Sequence, residues 1–118
     1  MTQSEKNKAM LQTANAAIDK GKHEEFLAHC TEDTTWEFVG DITLHGKEEI
    51  RQWMKDTYLI PPVNMVHHLI SEGEFVVAEG VIKVMTKEGT YEESVYCDVW
   101  QFRGNKMAHL KAFVLKRW

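Results

Sequence analysis

Apolar positions recur at three- and four-residue steps early in the chain and at two-residue steps in its second half, so helices are expected to precede a sheet. From Ser4 to Lys20, Met10, Leu11, Ala14, Ala17 and Ile18 share one helical face among good helix formers. Ser4 is placed to cap the start and Gly21 to end the helix. A short second helix is expected from Lys22 to Cys30, with Phe26 and Leu27 turned inward. Thr34 to Val39 then changes to β-branched and aromatic residues, which predicts a strand. Gly40-Asp41 marks a turn, Ile42 to His45 a short extended piece, and Gly46 opens a third helix over Lys47 to Tyr58. Ile50, Trp53, Met54 and Thr57 fall on one side of that helix. Pro61-Pro62 stops it, because proline disfavours a helical predecessor and has no N–H to donate.

The second half carries no helix signal. Asn64 to Ser71, Glu74 to Thr86, Thr90 to Arg103 and Lys106 to Lys116 read as four strands, with Gly73, Gly89 and Gly104 in the reversals between them. Two of these strands are about twice the common length, which predicts a bent or bulged sheet. The expected fold class is α+β, a curved, largely antiparallel sheet wrapped by N-terminal helices around an apolar pocket. Residues 1–118 form one domain in this reading, with no internal repeat or linker.

Composition narrows the classes of function. A chain of 118 residues can bury a core without disulfides or metals. Its net charge of -4 argues against nucleic acid, which demands a concentrated basic surface. The basic residues Lys111, Lys116 and Arg117 alternate with apolar ones and read as the solvated face of a strand. Met1 to Lys8 lacks the apolar run of a secretory signal, and no stretch is long and apolar enough to span a bilayer. The two cysteines, Cys30 and Cys97, form no CxxC pair, so a reduced, cytoplasmic setting is expected.

The segments GDITLHGKEEI and YCDVWQFRGNKMAHLKAFV, in this element order, resemble the nuclear transport factor 2-like superfamily, most closely its SnoaL-like and ketosteroid-isomerase-like members. The resemblance covers essentially the whole chain. It implies a cystatin-like cone whose concave face and three helices enclose a small hydrophobic ligand, with no cofactor and often as a homodimer. It specifies chemistry poorly, since the superfamily hosts isomerases, cyclases, dehydratases, epoxide hydrolases and domains without catalysis.

Under that resemblance Asp98 falls where ketosteroid isomerases carry the carboxylic acid that donates a hydrogen bond to the substrate oxyanion. With Asp98 inward, strand alternation turns Ser94, Tyr96, Trp100 and Phe102 the same way. It also turns Leu110, Ala112 and Val114 inward on the last strand, and Ala78, Gly80, Ile82 and Val84 inward on the long middle strand. Trp53 joins this lining from the third helix. A bare carboxylate on such a surface is costly unless paired, hydrogen-bonded or protonated. The plain alternative is that Asp98 bonds a backbone amide or the Tyr96 hydroxyl at the mouth of the cone.

Two further groups are candidates for proton transfer. Glu37 aligns with the isomerase general base, unless Trp36 and Phe38 face the core and leave it a solvated strand residue. His68 has inward parity beside Val66 and Ile70, where an imidazole near Asp98 would serve as acid or base; otherwise it is a partly buried His satisfied by backbone. His67 and His68 suggest no metal, because adjacent strand residues point to opposite faces.

The departures from the catalytic relatives are equally informative. The helix-1 tyrosine that completes the isomerase oxyanion hole corresponds to Ala14, and the terminal-strand aspartate of the epoxide hydrolases corresponds to Ala112. Two readings therefore stand side by side. One is a cofactor-independent isomerase, cyclase or dehydratase acting on a small hydrophobic carbonyl compound. The other is a noncatalytic domain that holds an apolar ligand or self-associates through a convex face carrying Val81, Met85, Val95, Val99 and Phe113.

Overall fold

The computed structural model describes Met1 to Arg117; Trp118 lies outside the described residues. Its elements run α1 (Gln3–Asp19), α2 (His23–Leu27), β1 (Cys30–Phe38), β2 (Thr43–His45), α3 (Gly46–Thr57), β3 (Val63–Glu72), β4 (Phe75–Met85), β5 (Tyr91–Arg103) and β6 (Lys106–Lys116). This is the expected order of elements. The six strands form one sheet in the order β2-β1-β6-β5-β4-β3. Every neighbouring pair is antiparallel except β1 and β6.

The cap of helix α1 lies two residues before the expected one. Thr2, rather than Ser4, accepts from the Glu5 amide while the Glu5 carboxylate reaches back to the Thr2 amide, a reciprocal capping box. Its end is as expected: Gly21, at φ 72°, lets the Lys22 amide reach the Ala17 carbonyl and its own amide reach Ile18. Cys30 is the first residue of β1 and not a helix end, because α2 closes after one turn at Leu27. Its thiol is buried, and desolvation pushes its pKa up to about 11, so it is a packing residue rather than a nucleophile.

The core lies between the concave face of the sheet and the helices. Leu11, Ala14, Phe26, Leu27, Ile50 and Met54 supply the helical side, and Val76, Ala78, Trp100 and Leu110 the sheet side. The sheet is irregular at three places, between Cys30 and Thr35, at Gln101/Phe102 and in β3. Between Val66 and His68 strand β3 carries an extra residue against β4, and Gly80 sits opposite Val66. A Cβ on Gly80 would lie 2.1 Å from the Met65 carbonyl oxygen, so only glycine lets the two backbones come this close.

The bulge corrects one expectation directly. Alternation carried straight along β3 turns Val66, His68 and Ile70 inward, but the extra residue reverses the parity after Val66. Leu69 packs against the core instead, while Ile70 is exposed. On the convex side Phe113 and Leu115 are exposed, whereas Val81, expected there as an interface residue, is buried.

Candidate functional site

The open end of the cone holds a cavity of about 430 Å³. Its walls begin with an aromatic cluster. Trp36 from β1 meets Trp53 of α3 at 5.8 Å and Trp100 of β5 at 6.0 Å, both edge to face. Phe38 packs on Trp53 at 5.0 Å, and Tyr58 meets the other side of Trp53 at 5.4 Å. Ile82 and Val84 of β4 and Leu110, Ala112 and Val114 of β6 continue the apolar lining. Tyr96, Trp100, Trp53, Ile82, Leu110, Ala112 and Val114, the expected lining residues, all border this cavity. At its mouth lie Asp41 and the ion pair of Lys116 with Glu92, at 3.2 Å.

Asp98 sits on the cavity floor, in the middle of β5. Its cross-strand neighbours are Ala78 on one side and Ala112 on the other, so neither flanking strand offers its carboxyl a side-chain donor. Among the described residues it makes no side-chain hydrogen bond and no ion pair. Ala112 borders the cavity beside it, whereas Ala78 is packed in the core. Desolvation alone pushes its pKa up to about 7, so the acid and the ionised form are both populated at neutral pH.

Two tyrosines share the cavity with it. The Tyr96 hydroxyl, two residues away on the same face of β5, donates to Asn64 Oδ1 at 2.6 Å. Burial, and then the nearby Asp98 charge, push its pKa up to about 12. Tyr58 is the residue that ends α3, and its ring is fixed between Trp53 and His23. Its hydroxyl makes no hydrogen bond among the described residues. Burial, followed by the charges of Asp98 and Tyr96, raises its pKa well above the ordinary phenol value. Both tyrosines therefore remain neutral donors near neutral pH.

The other two expected proton-transfer groups lie elsewhere. His68 is on the convex face, its side chain 71% exposed, with Nδ1 2.6 Å from Glu79 Oε1. The β3 bulge put it there, and His67 also reaches Glu79, at 3.5 Å. The expectation that His67 and His68 point to opposite faces therefore fails for the same reason. Glu37 is outward as well, because Trp36 and Phe38 take the inward positions of β1; its nearest partner is His109 at 4.0 Å. Neither side chain borders the cavity. Among the described residues no group of three or more His, Cys, Asp or Glu is placed to hold a metal ion.

Sequence reasoning missed Asn64 and Tyr58. Asn64 was signalled by the alternation that placed Val66 inward, two residues later. Tyr58 follows the apolar face of α3 by one four-residue step from Met54, but the approaching prolines drew it into the reading of a helix end. Ala14 is fully buried in the core.

A family model described as SnoaL-like domain matches residues 11–110. A search of curated proteins found no match. Among solved structures, the epoxide hydrolase/cyclase-like enzyme SalBIII, of pyran ring formation in the polyether salinomycin, superposes with a TM-score of 0.88 at 17% identity, covering 97% of this chain and 94% of that one. An LEH-like epoxide hydrolase from M. tuberculosis superposes at 0.84 with 12% identity, covering 96% and 85%. An NTF2-like protein of unknown function from Burkholderia pseudomallei gives 0.81 at 17% identity, covering 95% and 90%. At these identities the likeness is one of fold. On the family match and the shared architecture, the chain belongs to the SnoaL-like domain family, with the nuclear transport factor 2-like cone.

Proposed function

We propose that the cavity binds a small, largely apolar molecule through its carbonyl oxygen, with Asp98 in its acid form donating the hydrogen bond. One observation carries this reading: a carboxyl without a side-chain partner, flanked across the sheet by two alanines, faces a cavity with aromatic walls. Such a group is costly to bury for nothing, and a ligand oxygen relieves that cost. The size and mainly apolar lining fit a small-molecule site with a few orienting polar groups.

The finer reading is proton transfer at the carbon beside that carbonyl, the step common to isomerisation, cyclisation and dehydration without a cofactor. Asp98 populates both an acid and a base at neutral pH, but one carboxyl cannot polarise the oxygen and take the carbon proton in the same step. Binding is therefore the primary reading and catalysis the secondary one.

β-Tetralone, a bicyclic ketone, and tetralin, its oxygen-free counterpart, separate these readings by quenching of the cavity tryptophans. Tighter binding of the ketone, lost in Asp98→Ala but kept in His68→Ala, is expected. Equal binding of the two compounds, or no binding, would overturn the carbonyl reading. Deuterium uptake beside the bound carbonyl, absent in Asp98→Ala, would establish the catalytic reading; no uptake leaves a binding domain.

A further inference from the structure

The charged side chains that border the cavity favour one sign of ligand. Asp41, Glu92 and Asp98 are carboxyls, and Lys116 is the sole ammonium among them. Lys116 is already paired with Glu92 at 3.2 Å. That leaves Asp41 at the mouth and Asp98 inside as acids without an ion pair among the described residues. The Lys116–Glu92 pair lies far from Asp98, since Glu92 is about 20 Å further out along β5. The strands β1, β3 and β4 and helix α1 border the cavity with uncharged side chains only. Tyr58 from α3 and Tyr96 from β5 are titratable, but both keep their protons near neutral pH.

The rest of the wall is rich in aromatic rings. Trp36, Trp53, Trp100, Phe38, Tyr58 and Tyr96 all border this one space. Ring faces carry partial negative charge and attract a cation that lies against them. From about pH 7 upward, ionised Asp98 also carries a charge that nothing in the protein answers. A ligand carbonyl cannot answer it, because carboxylate and carbonyl are both acceptors.

We infer that the cavity takes a second class of ligand, a small apolar amine in its ammonium form. Its N–H groups donate to the Asp98 carboxylate while its skeleton lies among the aromatic rings. An ammonium must shed water to enter, and the carboxylate and the rings offset that cost. The acid form of Asp98 serves a carbonyl and the ionised form an ammonium, so either ligand can hold or fail without the other. Binding the ammonium favours the ionised carboxyl, so a proton leaves the protein as the complex forms near neutral pH.

The test sets β-aminotetralin beside β-tetralone and tetralin, three molecules of similar shape, on the full chain. The amine keeps its proton to about pH 10, as a lysine does, so Asp98 alone titrates inside the cavity between about pH 6 and about pH 8. Amine affinity is expected to rise roughly tenfold across that range with the ionised fraction, while ketone affinity falls and tetralin affinity stays level. Asp98→Asn, which keeps the shape and a donor, should show no such rise and still bind the ketone. Calorimetry of the wild-type protein in two buffers of different protonation heat should show proton release with the amine, and this decides the matter even if the variant does not fold. Amine binding no tighter than tetralin, an equal rise in Asp98→Asn, or no proton release would overturn the ammonium site. If the amine behaves as expected and the ketone binds no better than tetralin, the carbonyl reading fails and the ammonium site stands.

Discussion

At the scale of single residues, Asp98 sets the behaviour of the protein. Its carboxyl ionises at about 7 in the fold because burial penalises the charge, and near the ordinary aspartate value when the chain is unfolded. Between those two values the native state holds a proton that the unfolded chain has released. Stability contributed by the protonated form is therefore fully present at acid pH, falls as pH rises through that window, and levels off above about 7. Asp98→Asn removes the titration without changing the shape of the side chain. Urea unfolding should show the variant more stable than wild type at mildly alkaline pH, by on the order of 2–4 kcal/mol, with the gap closing at acid pH. Parallel stability curves for the two proteins would mean that the carboxyl is not desolvated as described. Asp98 itself was legible through the family resemblance of its segment, and strand alternation then placed Ser94, Tyr96, Trp100 and Phe102 on its face. The flanking alanines that strip it of partners were legible only as lining, since cross-strand register is not visible before strands are paired.

At the scale of elements, nearly every helix and strand could be read from periodicity, and the misplaced side chains of β3 have a single cause. Alternation is reliable only while the pairing count stays even. The extra residue of β3 breaks it, so His68 and Ile70 moved outward and Leu69 moved in. The sequence did carry two hints of irregularity there: the expected bend in a long strand, and Gly80 in the middle of a β-branched run. Glu37 had two readings in the sequence, and the bulk of Trp36 and Phe38, taken into the core, decided for the solvated one. The bulge and Gly80 act as one hinge of the cone. Gly80→Ala would drive a methyl group into the Met65 carbonyl at 2.1 Å, backbone against backbone, with no flexible side chain to give way. A loss of about 3 kcal/mol or more in chemical denaturation is expected, together with weakened β-tetralone binding as the sheet opens. Wild-type stability in this variant would show that the close approach of β3 and β4 is not needed for the fold.

At the scale of the whole molecule, the cone joins two requirements that pull against each other. The sheet must be long and bent to enclose a space, and the space must be kept from collapsing onto its own apolar walls. Edge-to-face contacts of Trp36 with Trp53 and Trp100 brace the wall, while the small Ala112 lines the cavity beside Asp98. No helix among the described residues is long and apolar enough to cross a membrane. The central claim is that a ligand occupies this interior rather than the apolar strip outside. Methyl-labelled protein titrated with β-tetralone tests it most directly. Shifted methyl signals and ligand cross-peaks are expected at Ile82, Leu110 and Val114 inside the cone, with Leu115 and Val95 on the convex face unmoved. Shifts confined to Leu115 and Val95, or no shifts at saturating ketone, would contradict it.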